Sequence, residues 1–225
     1  MDPTREAFVQ HLRPTLESYS LNVSEAHIDL MYHHYRAVVV ANAQFNLTRI
    51  VDAVEAAAKH YADSLMLSVW VKRSGIGVRR ILDVGTGAGF PAVPLAVMQA
   101  DWQVTAIDST AKKAAFLAGW IAEEKVPNLT ARHARAEHWT GAERFDVVTF
   151  RATGSLAKCL TQARGVLVPR GLVVCFKSRV LPVEETAEAR RAAKSLGFRS
   201  EPPFEYDLNC QGDVLARQLM VFRLG

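Results

Sequence analysis

Ile81-Leu82-Asp83-Val84, running into Gly85-Thr86-Gly87-Ala88-Gly89 and then Phe90-Pro91, is the stretch on which the fold turns. Four residues of buried-strand character lead into glycines at alternate positions. Glycine lets a backbone turn sharply and come close to a ligand. Pro91 suits the first turn of a helix, where its missing N–H costs nothing. The free N–H groups of such a helix start then face whatever the loop holds. Strand, glycine loop and helix in this order predict a ligand site at the carboxyl edge of a parallel sheet.

The pattern continues outward from that stretch. Downstream, apolar β-branched runs at 80–84, 103–107, 129–133, 145–150, 171–176, 203–207 and 217–223 predict strands. They alternate with helical patterns at 91–99, 110–124, 154–165 and 184–196. Strands alternating with helices imply βαβ units and a mostly parallel sheet. Only Leu208 to Ala216 links the last two strands, so an antiparallel, hairpin-like finish is expected. Upstream, Phe8, Leu12, Leu16 and Tyr19 fall at helical spacing, as do Ile28, Met31, Tyr32 and Tyr35 behind a Ser24 N-cap. A third stripe is Val54, Ala57, Ala58, Tyr61 and Leu65. Residues 1–75 therefore read as a helical extension, and residues 76–225 as an α/β domain.

The second predicted strand ends in Asp108, about 20 residues beyond the loop. An acid there can accept the hydroxyls of an adenosine ribose. A dinucleotide fingerprint needs G-x-G-x-x-G, but Phe90 and Ala92 occupy the places of its last glycine. The observed G-x-G-x-G, with Asp83 two residues before Gly85, fits S-adenosylmethionine better than a nicotinamide dinucleotide. S-adenosylmethionine has no pyrophosphate to cradle. The expected architecture is a class I, Rossmann-like methyltransferase domain with a seven-stranded, mostly parallel sheet. Gly85, Gly87, Gly89, Asp83 and Asp108 are its candidate cofactor residues.

Composition sets outer bounds. In 225 residues, 49% are hydrophobic, enough for a real core. No apolar run approaches the roughly 20 residues of a membrane span, and the N-terminus lacks a signal-peptide layout. A cytoplasmic protein without membrane contact is expected. The cysteines, Cys159, Cys175 and Cys210, are odd in number and form no Cys-x-x-Cys, so neither a disulfide framework nor a metal site is signalled. A net charge of +4 permits nucleic-acid binding without demonstrating it.

At this point the residues resemble one family, the guanine-N7 methyltransferases of 16S ribosomal RNA. Asp83 to Pro91 with Val93-Pro94-Leu95 looks like its cofactor loop. Asp108-Ser109, Lys112-Lys113 and Phe116-Leu117 resemble its second-strand motif. Arg135-Ala136-Glu137, Phe145-Asp146-Val147-Val148 and Arg151-Ala152 are similar as well. Upstream, Asn46-Leu47-Thr48 and Lys59-His60 with Asp63-Ser64 look like its N-terminal signature. The chain departs from the family pattern at Ala41, Ala92, Ser178 and Gln218.

The resemblance implies that Gly85, Phe90 and Ser109 line the cofactor pocket. It places Ala136 and Glu137 along the adenine, and Arg151 between cofactor and acceptor, where it is the candidate catalytic residue. It further implies 16S rRNA in the small ribosomal subunit as partner, with no DNA, acting as a monomer. The alternatives are a methyltransferase with another acceptor and a non-catalytic rRNA-binding assembly factor.

Guanine N7 carries a free lone pair at neutral pH, so methylating it requires alignment and neither a general base nor a metal. No Asp/Asn-Pro-Pro-Tyr of amine methylation follows the fourth strand, where Phe150-Arg151-Ala152-Thr153 stands, and no Pro-Cys is present. Read without the resemblance, Arg151 could equally pair with Asp146 or Glu143. His60 could form a local pair with Asp63 at i and i+3. Lys72, Arg73, Arg79, Arg80, Lys112, Lys113, Arg132, Arg135, Lys177 and Arg179 are candidate phosphate contacts.

Overall fold

In the computed structural model, which describes residues 2–139 and 141–225, β1 (Arg80–Val84) lies at the centre of the sheet. It pairs in parallel with β2 (Gln103–Asp108) on one side and β4 (Phe145–Arg151) on the other. β3 (Leu129–His133) continues beyond β2, and β5 (Leu167–Ser178) beyond β4. The chain then reverses, because β8 (Asp213–Leu224) runs antiparallel to β5. Parallel strands covered on both faces are largely apolar. Accordingly Ile81, Leu82, Val147, Val148, Val173 and Val174 are all buried.

Seven strands were expected and, among the described residues, eight are present, in seven positions. β6 (Phe198–Ser200) and β7 (Phe204–Cys210) both pair with the outer edge of β8, one after the other. Pro202 and Pro203 lie between them. Proline has no N–H to give to the ladder, so the edge strand is split there. The hairpin between β7 and β8 is tighter than the expected 208–216 connection. Its turn is Gln211-Gly212, with φ of 52° and 92°. Positive φ at both central residues is what a two-residue hairpin turn demands.

Two sets of helices cover the sheet. α7 (Leu156–Ala163) and α8 (Val183–Leu196) pack through Leu156, Leu160, Ala189 and Ala193 on the face carrying Leu82, Val148 and Val173. α5 (Ala92–Met98) and α6 (Ala111–Glu124) contribute to the other face, with Ile81, Val104 and Val147. The first helices, α1 (Pro3–Ser18) and α2 (Glu25–Asn42), join that same apolar cluster. Ser24 caps α2 as expected, its hydroxyl accepting from the His27 N–H at 3.2 Å.

α3 (Ala53–Ala56) and α4 (Asp63–Ser74) form one rod interrupted by a π-helical stretch, Ala57–Ala62. A π turn adds a residue to the helix and re-aims the side chains around it. The apolar spacing gives no warning of it, because six residues fit either period. Among the described residues, no helix is long and apolar enough to cross a membrane.

Candidate active site

The glycine loop is built by the backbone. The N–H groups of Gly85 and Thr86 donate to the Ile107 carbonyl at 2.8 and 3.0 Å, tying the loop to the end of β2. Gly87 N–H donates to Asp108 Oδ2 at 2.9 Å, and Thr110 N–H to Asp108 Oδ1 at 2.8 Å. Each carboxylate oxygen of Asp108 thus keeps an acceptor direction for a ligand hydroxyl. Gly85 adopts φ of +72°, and a Cβ there would stand 2.3 Å from Thr153 Cγ2. Gly89 adopts φ of +106°, with Val93 Cγ2 2.8 Å from where its Cβ would be. Both positions exclude larger residues on conformation and on space.

A helix from the N-terminal segment holds this loop from behind. His34 on α2 is fully buried. Its Nδ1 is 2.8 Å from the Tyr61 hydroxyl and its Nε2 2.8 Å from the Ala88 carbonyl. The carbonyl can only accept, so Nε2 carries the proton and Nδ1 accepts from Tyr61. Burial pushes His34 down to about 3, so the ring is neutral.

In front of the loop lies a cavity of 490 Å³, within the usual range of small-molecule sites. Gly85, Gly87, Phe90, Asp108, Ser109, Ala136, Glu137 and Arg151 all line it. Asp83 and Gly89 do not. Asp83 is fully buried beneath the loop, accepting from Thr149 Oγ1 at 2.9 Å. Burial pushes its carboxyl up to about 6, against the hydroxyls of Thr86 and Thr149. Asp83 and Gly89 shape the loop from within. Thr153, Lys158 and Gln162 also face the cavity. Gln162 Nε2 donates to Glu137 Oε1 at 2.6 Å and holds that carboxyl below its usual range. Periodicity put no flag on these three.

The far end of the cavity is a wall of side chains from distant parts of the chain. Arg151, at the end of β4, donates to the Lys59 carbonyl and to His60 Nδ1, each at 2.8 Å, and lies 3.4 Å from Asp63 Oδ2. Its guanidinium stands 5.3 Å from the centre of the Phe90 ring. His60 stacks on the same ring, centroids 4.4 Å apart. Lys59 and His60 belong to the π-helical stretch, which turns one residue's carbonyl and the next residue's ring toward Arg151.

Two bland readings of these residues fail. Asp146 accepts from the Arg79 and Arg80 N–H groups, and Glu143 lies near Arg132, so neither is the partner of Arg151. Asp63 is bound by Arg217 at 3.1 and 3.2 Å and by the Tyr206 hydroxyl at 2.7 Å, while His60 goes to Arg151 and Thr48.

The structure also sorts the candidate phosphate contacts. Arg179 and Lys177 are spent in ion pairs with Asp207 and Glu185. Lys113 and Arg135 line the cavity and form no ion pair among the described residues.

The cavity suits a methyl donor carrying adenosine. Asp108 offers acceptors for ribose hydroxyls, and the glycine backbone allows close approach.

Comparison with known proteins agrees with this geometry. A family model described as GidB, rRNA small subunit methyltransferase G, matches residues 27–204. The ribosomal RNA small subunit methyltransferase G of Polaromonas naphthalenivorans (strain CJ2) is 37% identical over 179 residues, 76% of this chain and 80% of that protein. That of Solibacter usitatus (strain Ellin6076) is 35% identical over 84% of this chain and 86% of its own length.

Solved structures share the fold at lower identity. A methyltransferase from Bacillus halodurans C-125, described as putative, has a TM-score of 0.51 at 15% identity, covering 70% of this chain and 97% of that one. The [4+2]-cyclase SpnF has a TM-score of 0.53 at 17% identity, covering 72% and 81%. A cyclase among the neighbours shows that the fold alone does not choose the reaction.

Proposed function

The chain belongs to the GidB family, rRNA small subunit methyltransferase G, and from that premise we propose that it transfers a methyl group from S-adenosylmethionine to N7 of a guanosine in 16S ribosomal RNA. The observation that carries the reading is the cavity itself. Its one end is a glycine loop with Asp108 and its other end is the Arg151, His60 and Phe90 wall.

S-adenosylmethionine supplies the activated methyl group when bound. The residues of this chain hold it and exclude water. Asp108 accepts from the ribose hydroxyls. Ala136 packs beside the adenine, with Glu137 fixed by Gln162 at the rim. The loop from Gly85 to Gly87 forms the floor. Phe90 and Arg151 bound the space in which methyl group and guanine meet. Alignment of nucleophile, carbon and leaving sulfur is the main demand of such a displacement. N7 brings its own lone pair, so no side chain has to remove a proton before attack.

The residues 1–75 extension serves the site in this reading, because its His34 holds the loop and its His60 holds Arg151. Lys113 and Arg135 at the rim take phosphates of the rRNA. The natural substrate is the small subunit or an assembly intermediate of it, met by a monomer in the cytoplasm.

The test is chemical mapping of N7-methylguanosine in small-subunit rRNA from cells with and without the gene. One methylated guanosine is expected to disappear on deletion and to return with the wild-type gene but not with Asp108→Ala. An unchanged methylation pattern on deletion overturns the assignment.

A further inference from the structure

Thr48 ends a short relay whose hydrogen-bond directions are fixed by chemistry. It begins at Arg151, whose guanidinium can only donate. Because Arg151 Nη2 donates to His60 Nδ1 at 2.8 Å, that nitrogen holds a lone pair. The ring's single proton is then on Nε2, which donates to Thr48 Oγ1 at 2.9 Å. Burial, followed by the Arg151 charge, pushes His60 down to about 3, in keeping with a neutral ring. Thr48 Oγ1 also accepts from the Ile50 N–H at 3.0 Å.

A hydroxyl has two acceptor lone pairs and one donor hydrogen. Both acceptor directions of Thr48 are used, and its O–H is left as a donor. Among the described residues nothing accepts it, and Thr48 lines the cavity beside His60, Phe90 and Arg151. The position of Thr48 is fixed as well. The Asn42 side chain, at the end of α2, accepts from the Leu47 and Thr48 N–H groups at 2.8 and 3.0 Å. The result is a rigid hydroxyl that can give a hydrogen bond toward the acceptor end of the site and cannot take one.

On its N7 edge, guanine presents two acceptors, N7 and O6, whereas adenine presents N7 and an amino donor. A donor-only hydroxyl satisfies O6 and opposes the adenine amine. We propose that Thr48 reads O6 of the target guanine, donating one hydrogen bond to it and so selecting guanine over adenine at the methylated position. This rests on the guanine-N7 reading of the site. Thr48 is a specificity residue here, and Arg151 and His60 position it in addition to walling the cavity.

The experiment removes each partner of the bond in turn. Small subunits are reconstituted with rRNA carrying either guanosine or 2-aminopurine riboside at the position the wild-type protein methylates. The second base keeps N7 and lacks O6. For wild type, loss of O6 is expected to lower kcat/KM about 10- to 100-fold. Thr48→Val is expected to lower kcat/KM on guanosine by a comparable factor and to respond to loss of O6 by less than about 3-fold. Thr48→Ser, which keeps the hydroxyl, retains the wild-type dependence on O6.

If Thr48→Val slows both substrates equally and keeps the full O6 dependence, Thr48 is structural and the proposal is overturned. It is likewise overturned if Thr48→Val weakens S-adenosylhomocysteine binding more than about tenfold while the O6 dependence stays, because the hydroxyl then serves the donor. Failure of wild type to methylate any guanosine is a separate result, which removes the proposed function itself.

Discussion

The two ends of the cavity are made of different materials. At the Asp108 end, backbone N–H groups of Gly85, Thr86, Gly87 and Thr110 meet the Ile107 carbonyl and one carboxylate. All of this comes from two strand ends and the loops that follow them. At the Arg151 end, side chains of residues 48, 60, 63, 151, 206 and 217 bind one another. They come from the loop after α2, the interrupted helical rod that follows it, β4, β7 and β8. The first end is local and is set by φ angles. The second is assembled across the whole fold and is held by buried charge. The difference teaches that the two ends should fail differently.

The largest effect is expected at Asp63. It is 1% exposed and faces Arg151 and Arg217. Removing one partner from a buried ionic cluster leaves uncompensated charge, typically at a cost of about 3–5 kcal/mol. Asp63→Ala should therefore lose about that much stability in urea unfolding. Its remaining folded fraction should still bind S-adenosylhomocysteine, because the loop does not depend on Asp63. Equal loss of stability and of binding by the folded fraction would erase the contrast between the ends.

A smaller, local effect is expected at Gly85. Gly85→Ala adds left-handed strain of about 1–2 kcal/mol and a contact with Thr153 Cγ2. Affinity for S-adenosylhomocysteine should fall about tenfold or more, by titration calorimetry, while the loss of global stability stays near the strain itself and below that of Asp63→Ala. Adding Thr153→Ser removes the obstructing methyl and should recover part of the affinity. No recovery would mean that strain alone, not the approach of Thr153, sets the cost.

The last effect is graded, is smallest per step of pH, and touches both ends, since one histidine holds each. Unfolded histidines take up a proton near 6.5, but His34 and His60 do so only at about 3. Their contribution to stability is therefore complete above 6.5 and is lost as pH falls toward 3. Asp83 runs the other way. Its folded value of about 6 lies above the unfolded 3.8, so stability is gained as pH falls between these values.

From pH 6 to 4.5 these three groups leave the unfolded state ahead by one proton. Stability should fall by about 1.4 kcal/mol per pH unit. Asp83→Asn removes the opposing group and should make the fall about twice as steep. Denaturant titrations at several pH values read both slopes, and an identical slope in the variant would show that Asp83 does not hold a proton at neutral-side pH.

The same contrast explains what could be read in advance. The Ile81 to Pro91 stretch and Asp108 are legible because each residue type there answers a local demand: no Cβ at Gly85, an acid at a strand end. Strands β1 to β5, the helices α5 to α8 and the closing hairpin follow from spacing of apolar residues. Lys158, Gln162 and Thr153 are not legible in that way. They face the cavity only because α7 and the preceding loop lie over it. The π-helical stretch is hidden too, although it carries both Lys59 and His60.

By itself, then, the sequence determined the strand–loop–helix unit, the mostly parallel character of the sheet and the acid that ends the second strand. These depend on backbone conformation and on contacts between near neighbours along the chain. The tertiary structure alone decided that Arg151 is held by Lys59, His60 and Asp63, that His60 therefore bears its proton on Nε2, and that Thr48 is left with only a hydrogen to give. Those are properties of a buried network. Its hydrogen-bond directions exist only once residues as far apart as 48 and 217 have been brought out of water together.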